Sequence, residues 1–246
     1  MHNKTALITG GAKRIGAEIA RMLHAEGMNI CIHYRLSENE ARQLCDQLNR
    51  LRDNSAILVQ ADLLHIAELP ALVEKPVAHW GGLDALINNA STFYPTPVGT
   101  ITEDQWEDLT GSNLKVPLFL SQAAAPYLKQ SSGNIINIVD VHGFRPMKNH
   151  TVYCVAKAGL MMLTQSLAKE LGPEVRVNGI APGAIMWPEN NLEQDDALRE
   201  MILDRTALKR QGDPRDIAAT VRFLIRDASY ITGQVIPVCG GRSINI

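Results

Sequence analysis

The chain has 246 residues, of which 46% are hydrophobic and 20% are charged, a composition typical of a globular α/β domain. Its formal net charge of -2 argues against nucleic acid or an anionic membrane surface as the main partner, since both bind concentrated positive charge. The four cysteines lack a CxxC spacing and the histidines lack metal-ligand spacing, so the sequence predicts neither a disulfide framework nor a metal site.

No apolar stretch of the sequence is long enough to cross a membrane. The first predicted strand begins at Thr5, which leaves no room before it for a secretion signal. We therefore expect a cytoplasmic protein that acts on small molecules, with no membrane partner.

A glycine-rich turn, Gly10–Gly16, connects the first strand to a helix that Gly27 ends. Glycines let the backbone approach a pyrophosphate, and the N-terminus of the helix supplies N–H groups and a positive dipole. The order of strand, glycine turn and helix therefore predicts a dinucleotide-binding site.

The second strand ends at Tyr34 and is followed by Arg35 and Ser37. Enzymes that bind NAD usually place Asp or Glu at this strand end to bind the ribose 2′-hydroxyl, and neither residue occurs here. Arg35 and Ser37, together with Lys13 and Arg14, would instead attract a 2′-phosphate. We expect NADPH as the cofactor, with a solvated surface role as the alternative for Arg35.

Strands and helices alternate along the rest of the chain. Asp62 and Leu63, directly after the third strand, are suited to contact an adenine ring, and Glu103–Lys129 forms one long helical stretch. The alternation predicts a doubly wound α/β sandwich of three layers around a mostly parallel sheet, in one domain over residues 1–246. The predicted strands are Thr5–Thr9, Asn29–Tyr34, Ala56–Gln60, Leu83–Asn88, Ile135–Val139, Arg176–Ile180 and Gln234–Val238.

The central strand, Ile135–Val139, ends next to Asp140. A helical pattern begins near Thr151, a plausible N-cap, and puts Tyr153 and Lys157 four residues apart on one helix face. A phenol beside an ammonium group, both directed at a carboxyl, is an arrangement for proton delivery. We expect Lys157 to favour the phenolate and to lower the pKa of Tyr153.

With these motifs the chain resembles the short-chain dehydrogenase/reductase family over essentially its whole length. The resemblance implies a Rossmann-type domain, a nicotinamide cofactor and often a tetramer. The matching motifs are Thr9–Gly16, Asn88–Ala90, Asn113, Tyr153 with Lys157, and Pro182–Gly183. Together with the strand ends, they assign the cofactor to Gly10, Lys13, Arg14, Ile15, Gly16, Tyr34, Arg35, Ser37, Asp62, Leu63, Asn89, Ala90, Ser91, Tyr153, Lys157, Pro182 and Gly183.

Two departures from the family pattern are informative. Arg14 replaces the middle glycine of the turn, and Asp140 occupies the position of the catalytic serine. Both features, with the segment Ser91–Pro97, resemble the pteridine reductases within the family. That resemblance implies that Arg14 contacts the cofactor phosphate and the pterin, that Phe93 stacks the pterin against the nicotinamide, and that Ser91 contacts both molecules.

Reduction of a C=N bond requires a hydride at carbon and a proton at nitrogen. We expect NADPH to supply the hydride and the Asp140–Tyr153 pair to direct the proton, because a carboxyl can bond to the ring nitrogens or the amino group of a pterin. Lys157 would hold the nicotinamide ribose, and Asn113 would anchor a water relay to Lys157. The alternatives are a helix cap or turn residue for Asp140 and an ordinary loop aromatic for Phe93.

The segment from about residue 184 to 204 is expected to form a substrate flap, with Trp187 lining the pocket or packing the flap. Val155, Met161 and Met162 give the helix that carries Tyr153 a second apolar face, which suggests a partner subunit. The resemblance to the family implies that the assembly is a homotetramer. The tail Gly240–Ile246 is short and could dock on a neighbouring subunit and close part of its site.

The sequence and the resemblance therefore predict the reduction of a dihydropterin to a tetrahydropterin, in pterin or folate metabolism. Dihydrobiopterin, dihydromonapterin, dihydrofolate and oxidised pterins all remain open as substrates. A 3-oxoacyl or carbonyl reductase of the same fold is the first alternative, and Asp140 and Arg14 argue against it. A non-catalytic NADPH-binding sensor is the second, and the intact set of Asn113, Tyr153 and Lys157 argues against that.

Overall fold

The structure, a computed structural model, describes residues 1–186 and 196–244. Across these two ranges, seven parallel strands form one sheet in the order β3-β2-β1-β4-β5-β6-β7. The predicted doubly wound α/β fold is confirmed, and the sheet is parallel throughout. The strands are β1 (Thr5–Ile8), β2 (Asn29–Tyr34), β3 (Ala56–Gln60), β4 (Ala85–Asn88), β5 (Asn134–Ile138), β6 (Arg176–Pro182) and β7 (Val235–Val238).

Helices cover both faces of the sheet, so successive residues of the central strands are buried in different cores. In β1, Ala6 and Ile8 pack with the helices of one face, whereas Leu7 packs with the helices of the other. This burial on both faces explains the continuous apolar runs in the sequence. The helices are α1 (Arg14–Ala25), α2 (Glu38–Leu51), α3 (Leu69–Trp80), α4 (Glu103–Thr110), α5 (Val116–Ser131), α6 (Thr151–Leu171), α7 (Asp196–Asp204) and α8 (Pro214–Arg226).

The helical stretch predicted over Glu103–Lys129 is wrong as one helix, because a π-helical turn at Gly111–Lys115 separates α4 from α5. Pro117, near the start of α5, has no N–H to donate to the preceding turn, which favours a break there. The π turn carries Asn113, and π turns inside helices are frequent at functional sites.

The start of α6 also differs from the prediction. His150 is the N-cap residue, whereas Thr151, the expected cap, is the first residue of the helix. His150 makes no side-chain capping bond to the helix. Its ring is available instead for contacts with a neighbouring loop, which are described below.

The strand order reverses at β1, because β2 and β3 lie on one side of it and β4 to β7 on the other. Ligands bind at such a switch point, beyond the carboxyl ends of the strands. The turn after β1 and the segment after β4 meet there, since a Cβ added to Gly10 would lie 3.1 Å from Ala90 Cα. In the part of the chain that the structure describes, no helix is long and apolar enough to cross a membrane.

The expected substrate flap is described only in part. Residues 184–186 and helix α7 lie within the described ranges, whereas Trp187 lies outside them. The structure therefore says nothing about the expected role of Trp187.

Candidate active site

Two adjoining cavities open at the carboxyl ends of the strands. One has a volume of about 610 Å³ and the other about 320 Å³, and both are lined by Gly10, Lys13, Ala90 and Ser91. The larger one also holds the predicted residues Arg14, Ile15, Gly16, Asn89, Phe93, Asp140, Tyr153, Lys157, Pro182 and Gly183. The smaller one holds Tyr34, Arg35, Ser37, Asp62 and Leu63.

The turn after β1 has a backbone shape that explains its composition. Gly10 has a φ of +58° and Arg14 a φ of +53°, both in the left-handed region that L-residues other than glycine seldom adopt. The position of Arg14 is thus one that glycine would occupy without strain. Strain of this kind is concentrated at functional sites. Arg14 also lines the larger cavity, and its contact with the cofactor phosphates stays a prediction.

His33 on β2 holds this turn in place, a role that the sequence did not suggest. Gly10 N–H donates to His33 Nδ1 over 3.1 Å, and His33 Nε2 lies 3.1 Å from the carbonyl oxygen of Ala61. Burial lowers the pKa of His33 to about 4, against smaller raising effects from Ala61 and Asp62. The ring is therefore neutral at physiological pH, with Nδ1 as the acceptor and Nε2–H as the donor.

Asn89 connects the turn to the end of β4. Its Nδ2 group donates to the carbonyl oxygens of Thr9 and Gly10 over 2.9 and 3.0 Å. Thr9 Oγ1 in turn accepts the backbone N–H groups of Asn89 and Ala90. These bonds fix the turn and the segment after β4 as one cradle at the switch point.

Asp140 uses both of its carboxylate oxygens. Oδ1 accepts the backbone N–H of His142 over 2.8 Å and caps the short 3₁₀ turn Val141–Gly143, while Oδ2 accepts the Tyr153 hydroxyl over 2.9 Å. The two interpretations of Asp140 from the sequence, a capping residue and a partner of Tyr153, are therefore both correct descriptions of its contacts. The cap fixes the carboxylate so that its second oxygen faces the phenol.

The predicted direction of the Tyr153 pKa shift is wrong. Burial of the phenol and the charge of Asp140 raise the pKa of Tyr153 well above its usual value. Lys157 Nζ lies 5.6 Å from the centre of the Tyr153 ring and donates to the carbonyl oxygen of Ile138 over 3.0 Å. Tyr153 is thus a protonated phenol at neutral pH, in the form of a proton donor.

Lys157 is almost completely enclosed, with 2% of its surface exposed. Burial lowers the pKa of Lys157 to about 8, against a smaller raising effect from Asp140. Its ammonium group is therefore charged at neutral pH but loses its proton within the alkaline range.

Asn113 is buried in the π turn between α4 and α5 and lines neither cavity. Its Nδ2 group donates to the carbonyl oxygens of Leu109 and Thr92, both over 2.9 Å, and its Oδ1 accepts the Ser91 hydroxyl over 2.6 Å. A hydrogen bond to Ser91 also acts to lower the pKa of Tyr153. Ser91 thus lies between Asn113 and Tyr153, and the predicted water relay from Asn113 to Lys157 stays a prediction.

Phe93 lines the larger cavity and is packed from two directions. Its ring stacks on His150 with 4.7 Å between ring centres, and it meets Tyr153 edge to face at 4.8 Å. Phe93 remains 44% exposed. His150 therefore supports the ring that the sequence predicts as the stacking surface for a pterin.

The smaller cavity has an acidic neighbour that the sequence prediction missed. Glu40 Oε1 lies 2.6 Å from Lys13 Nζ in an exposed ion pair. Glu40 follows Ser37 by three residues, within the first turn of α2. The closeness of Glu40 to Ser37 in the sequence could have indicated an acidic group near the smaller cavity. The ion pair with Lys13 could not be predicted, because the fold alone brings these two residues together.

The described part of the C-terminal tail packs against its own chain, and its docking on a neighbouring subunit stays a prediction. Leu208 N–H donates to the carbonyl oxygen of Gly240 over 3.0 Å, and Arg242 lines the larger cavity of the same subunit. Sequence reasoning missed Arg242 as a residue of the site. It also missed the cavity-lining residues Val141 and Met147, whereas the cavity-lining residues Ala184, Ile185, Met186 and Ile202 belong to the expected substrate flap.

Comparison with known proteins adds to this geometry. Residues 10–243 match the family model described as enoyl-(acyl carrier protein) reductase. Pteridine reductase 1 of Leishmania tarentolae is 37% identical to the chain, over 97% of this chain and 96% of that protein. The 3-oxoacyl-(acyl-carrier-protein) reductase of Staphylococcus epidermidis is 35% identical, over 97% and 98%. The 7alpha-hydroxysteroid dehydrogenase of Bacteroides fragilis is 34% identical, over 99% and 95%.

Proposed function

We propose that this chain, which belongs to the short-chain dehydrogenase/reductase family, is an oxidoreductase that uses NADPH to reduce a pterin. The substrate is a dihydropterin, which leaves as the tetrahydropterin. The observation that carries this proposal is the hydrogen bond between Tyr153 and Asp140 in the larger cavity.

The residues of the cleft fit a nicotinamide dinucleotide. The N-terminus of α1 opens onto the cavity beside a glycine turn so tight that a Cβ on Gly16 would lie 2.3 Å from the oxygen of Gly10. Backbone N–H groups at such a helix start bind pyrophosphate. Arg14 supplies a cation to the phosphates, and Lys157 is proposed to hold the nicotinamide ribose. When bound, the cofactor supplies a hydride to a carbon of the substrate ring.

The 2′-phosphate of NADPH is assigned to the smaller cavity. Arg35 and Ser37 line it together with Lys13, and a guanidinium and a hydroxyl both suit phosphate oxygens. Glu40 opposes this assignment in part, because its carboxylate would repel a phosphate near Lys13. The cavity thus offers a phosphate three hydrogen-bond donors, while the one opposing carboxylate, that of Glu40, is exposed to solvent. This balance supports NADPH over NADH as the cofactor.

Tyr153 and Asp140 are proposed to handle the proton. The raised pKa of Tyr153 keeps its proton on the phenol until the substrate nitrogen takes it. Asp140 is an acceptor for ring N–H or amino groups, which a pterin presents and a simple ketone does not. Phe93 provides a flat apolar surface for the ring.

A 3-oxoacyl or carbonyl reductase is the second candidate function. The 35% identity to a 3-oxoacyl-(acyl-carrier-protein) reductase favours it, although the Ser91 hydroxyl already donates to Asn113 and is not available to a carbonyl oxygen. The carboxylate of Asp140 disfavours it, because a carboxylate repels the negative charge that develops on that oxygen.

The test is the oxidation of NADPH, followed by its absorbance, with dihydrobiopterin, dihydromonapterin, dihydrofolate and a 3-oxoacyl thioester, each repeated with NADH. Turnover of the pterins with a preference for NADPH is the expected result. Turnover of the thioester alone would overturn the pterin proposal and leave the family assignment intact. Cofactor binding without turnover of any substrate would instead support the sensor alternative.

The quaternary structure is a separate part of the proposal. Val155 and Met162 on α6 are 49% and 62% exposed, which is unusual for apolar side chains on a central helix and supports burial against another copy. We propose a homotetramer in the cytoplasm. Light scattering should give four times the mass of the chain, and a monomer would contradict it.

A further inference from the structure

The turn after β7 directs Arg242 into the larger cavity. Gly240 and Gly241 have φ angles of +60° and +80°, so the chain reverses there in a conformation that suits glycine. A Cβ added to Gly241 would lie 2.6 Å from Ala207 Cβ, and the carbonyl oxygen of Gly240 accepts Leu208 N–H. The turn is therefore held tightly against residues 206–208, and Arg242, the next residue, lines the cavity.

The Arg242 guanidinium lacks a hydrogen-bond partner on one buried atom. Nε is buried, and no atom of residues 1–186 or 196–244 accepts a hydrogen bond from it. A buried donor without a partner is costly, and in a native protein it calls for a ligand or another explanation. Burial lowers the pKa of Arg242, as does the charge of Arg205, while the charge of Asp140 raises it.

Asp140, the carboxylate whose charge acts on Arg242, already has partners. Both of its oxygens accept hydrogen bonds, from His142 and from Tyr153. In the described part of the chain, the cation of Arg242 therefore faces the cavity without a bonded carboxylate.

We propose that Arg242 binds a carboxylate of the substrate, so that the site favours pterins with an acidic side chain, of the folate type, over pterins with a neutral side chain. A planar guanidinium matches the two oxygens of a carboxylate, and a partly buried one binds it more strongly than an exposed one. The cavity that Arg242 lines is the one that contains Phe93, Asp140 and Tyr153, so one ligand can reach all of them. This inference rests on the proposed pterin reduction and narrows its substrate class.

The experiment compares dihydrofolate, which carries carboxylates, with dihydrobiopterin, which carries none. Arg242→Gln should raise KM for dihydrofolate roughly tenfold or more, the usual effect of losing a charge-assisted hydrogen bond, and leave KM for dihydrobiopterin nearly unchanged. Arg242→Lys, which keeps the charge but loses the planar fork, should give an intermediate KM for dihydrofolate. Arg210→Gln is the matched control, because Arg210 is exposed, does not line this cavity and pairs with Asp216 instead.

The results separate this inference from the proposed function. An equal rise of KM for both pterins, or no rise for either in Arg242→Gln, would overturn the role of Arg242 while pterin reduction stands. A wild-type protein that reduces the 3-oxoacyl thioester and neither pterin would overturn both. Thermal unfolding of each variant shows whether a change in KM comes from misfolding, and the unchanged KM for dihydrobiopterin serves as a second internal control.

Discussion

Asp140 and Tyr153 form a hydrogen-bonded pair, and a second hydrogen bond to the Asp140 carboxylate fixes the orientation of that carboxylate towards Tyr153. Oδ1 of Asp140 is held by the backbone N–H of His142, and this leaves Oδ2 at 2.9 Å from the Tyr153 hydroxyl. The same contact raises the pKa of the phenol, together with burial. The pair therefore presents one proton and one acceptor side by side at the cavity wall.

Replacing Asp140 by asparagine tests the acceptor without removing the cap. Asparagine keeps an oxygen for the His142 N–H, but it removes the charge and presents an amide group towards Tyr153. We expect kcat for the pterin to fall about 100-fold, the effect of losing one acid–base group, with little change in the melting temperature. Steady-state kinetics and thermal unfolding measure the two effects.

Asp140→Ser provides the comparison, because serine is the residue that the family pattern places there. It should lose pterin turnover to a similar extent. Full pterin turnover in Asp140→Ser would exclude a proton-directing role for the carboxylate.

Lys157 should set the alkaline limit of the reaction. Its pKa is lowered from 10.5 to about 8, so the ammonium is charged below about pH 8 and neutral above it. We expect kcat/KM for NADPH to fall as the pH rises through about 8, since deprotonation removes the cation that we assign to the nicotinamide ribose. In Lys157→Arg the fall of kcat/KM should occur only at much higher pH, because arginine does not titrate near pH 8. An unchanged fall in Lys157→Arg would show that another group titrates there.

The same shift has a consequence for stability. Between about pH 8 and 10.5 the unfolded chain keeps a proton on Lys157 that the folded chain has lost. Stability therefore rises with pH across this window from this one group. Comparing the pH dependence of unfolding in the wild type and in Lys157→Met isolates the effect, which should be absent from the variant.

Glu40 should weaken the binding of NADPH. Its carboxylate pairs with Lys13 and would repel a 2′-phosphate, so Glu40→Gln releases Lys13 from this ion pair and removes a like charge. We expect KM for NADPH to fall roughly two- to fivefold, with KM for NADH unchanged, as is typical for one exposed pair. Glu38→Gln is the matched control on the same helix, because Glu38 pairs with Arg42 instead. A fall in KM for NADH of the same size would mean that Glu40 does not act on the 2′-phosphate.

His33 should stabilise both the fold and the glycine-rich turn after β1 to which we assign the cofactor. His33→Leu leaves Gly10 N–H and the Ala61 carbonyl without their partner. We expect the free energy of unfolding to fall by about 1–3 kcal/mol, the cost of unpaired buried groups, and KM for NADPH to rise. Urea unfolding and cofactor kinetics measure the two effects.

The pH dependence of unfolding distinguishes His33 from a simple packing residue. Its pKa is lowered from 6.5 to about 4, so between these values the unfolded chain binds a proton that the folded chain does not. Stability from this group therefore falls as the pH falls from about 6.5 towards 4. The fall should be smaller in His33→Leu than in the wild type, and an identical fall would assign the dependence to other groups.

Local sequence was sufficient for most of the secondary structure. The predicted bounds of β2 and β3 agree with the structure, and those of the other strands differ by at most two residues at either end. Strands buried on both faces consist of apolar runs and are bounded by turn residues, so their bounds can be predicted without knowledge of tertiary contacts. The break between α4 and α5 could not be predicted from local sequence, because Asn113 in the π turn forms hydrogen bonds with Ser91 and Thr92, about twenty residues away.

The sequence by itself determined the fold, the family and the set of residues at the strand ends. Parallel strands bring their carboxyl ends to one edge, so Gly10, Asp140 and Tyr153 had to meet there. Tertiary structure alone decided what each of them touches. In the folded chain the Tyr153 phenol donates to Asp140, and the Lys157 ammonium donates to a backbone carbonyl. The pKa of Tyr153 is therefore raised, whereas the sequence predicted that Lys157 would lower it. Tertiary structure also brought His33, Glu40 and Arg242 to the cleft, because hydrogen bonds and ion pairs depend on positions within a few ångströms, which spacing along the chain does not specify.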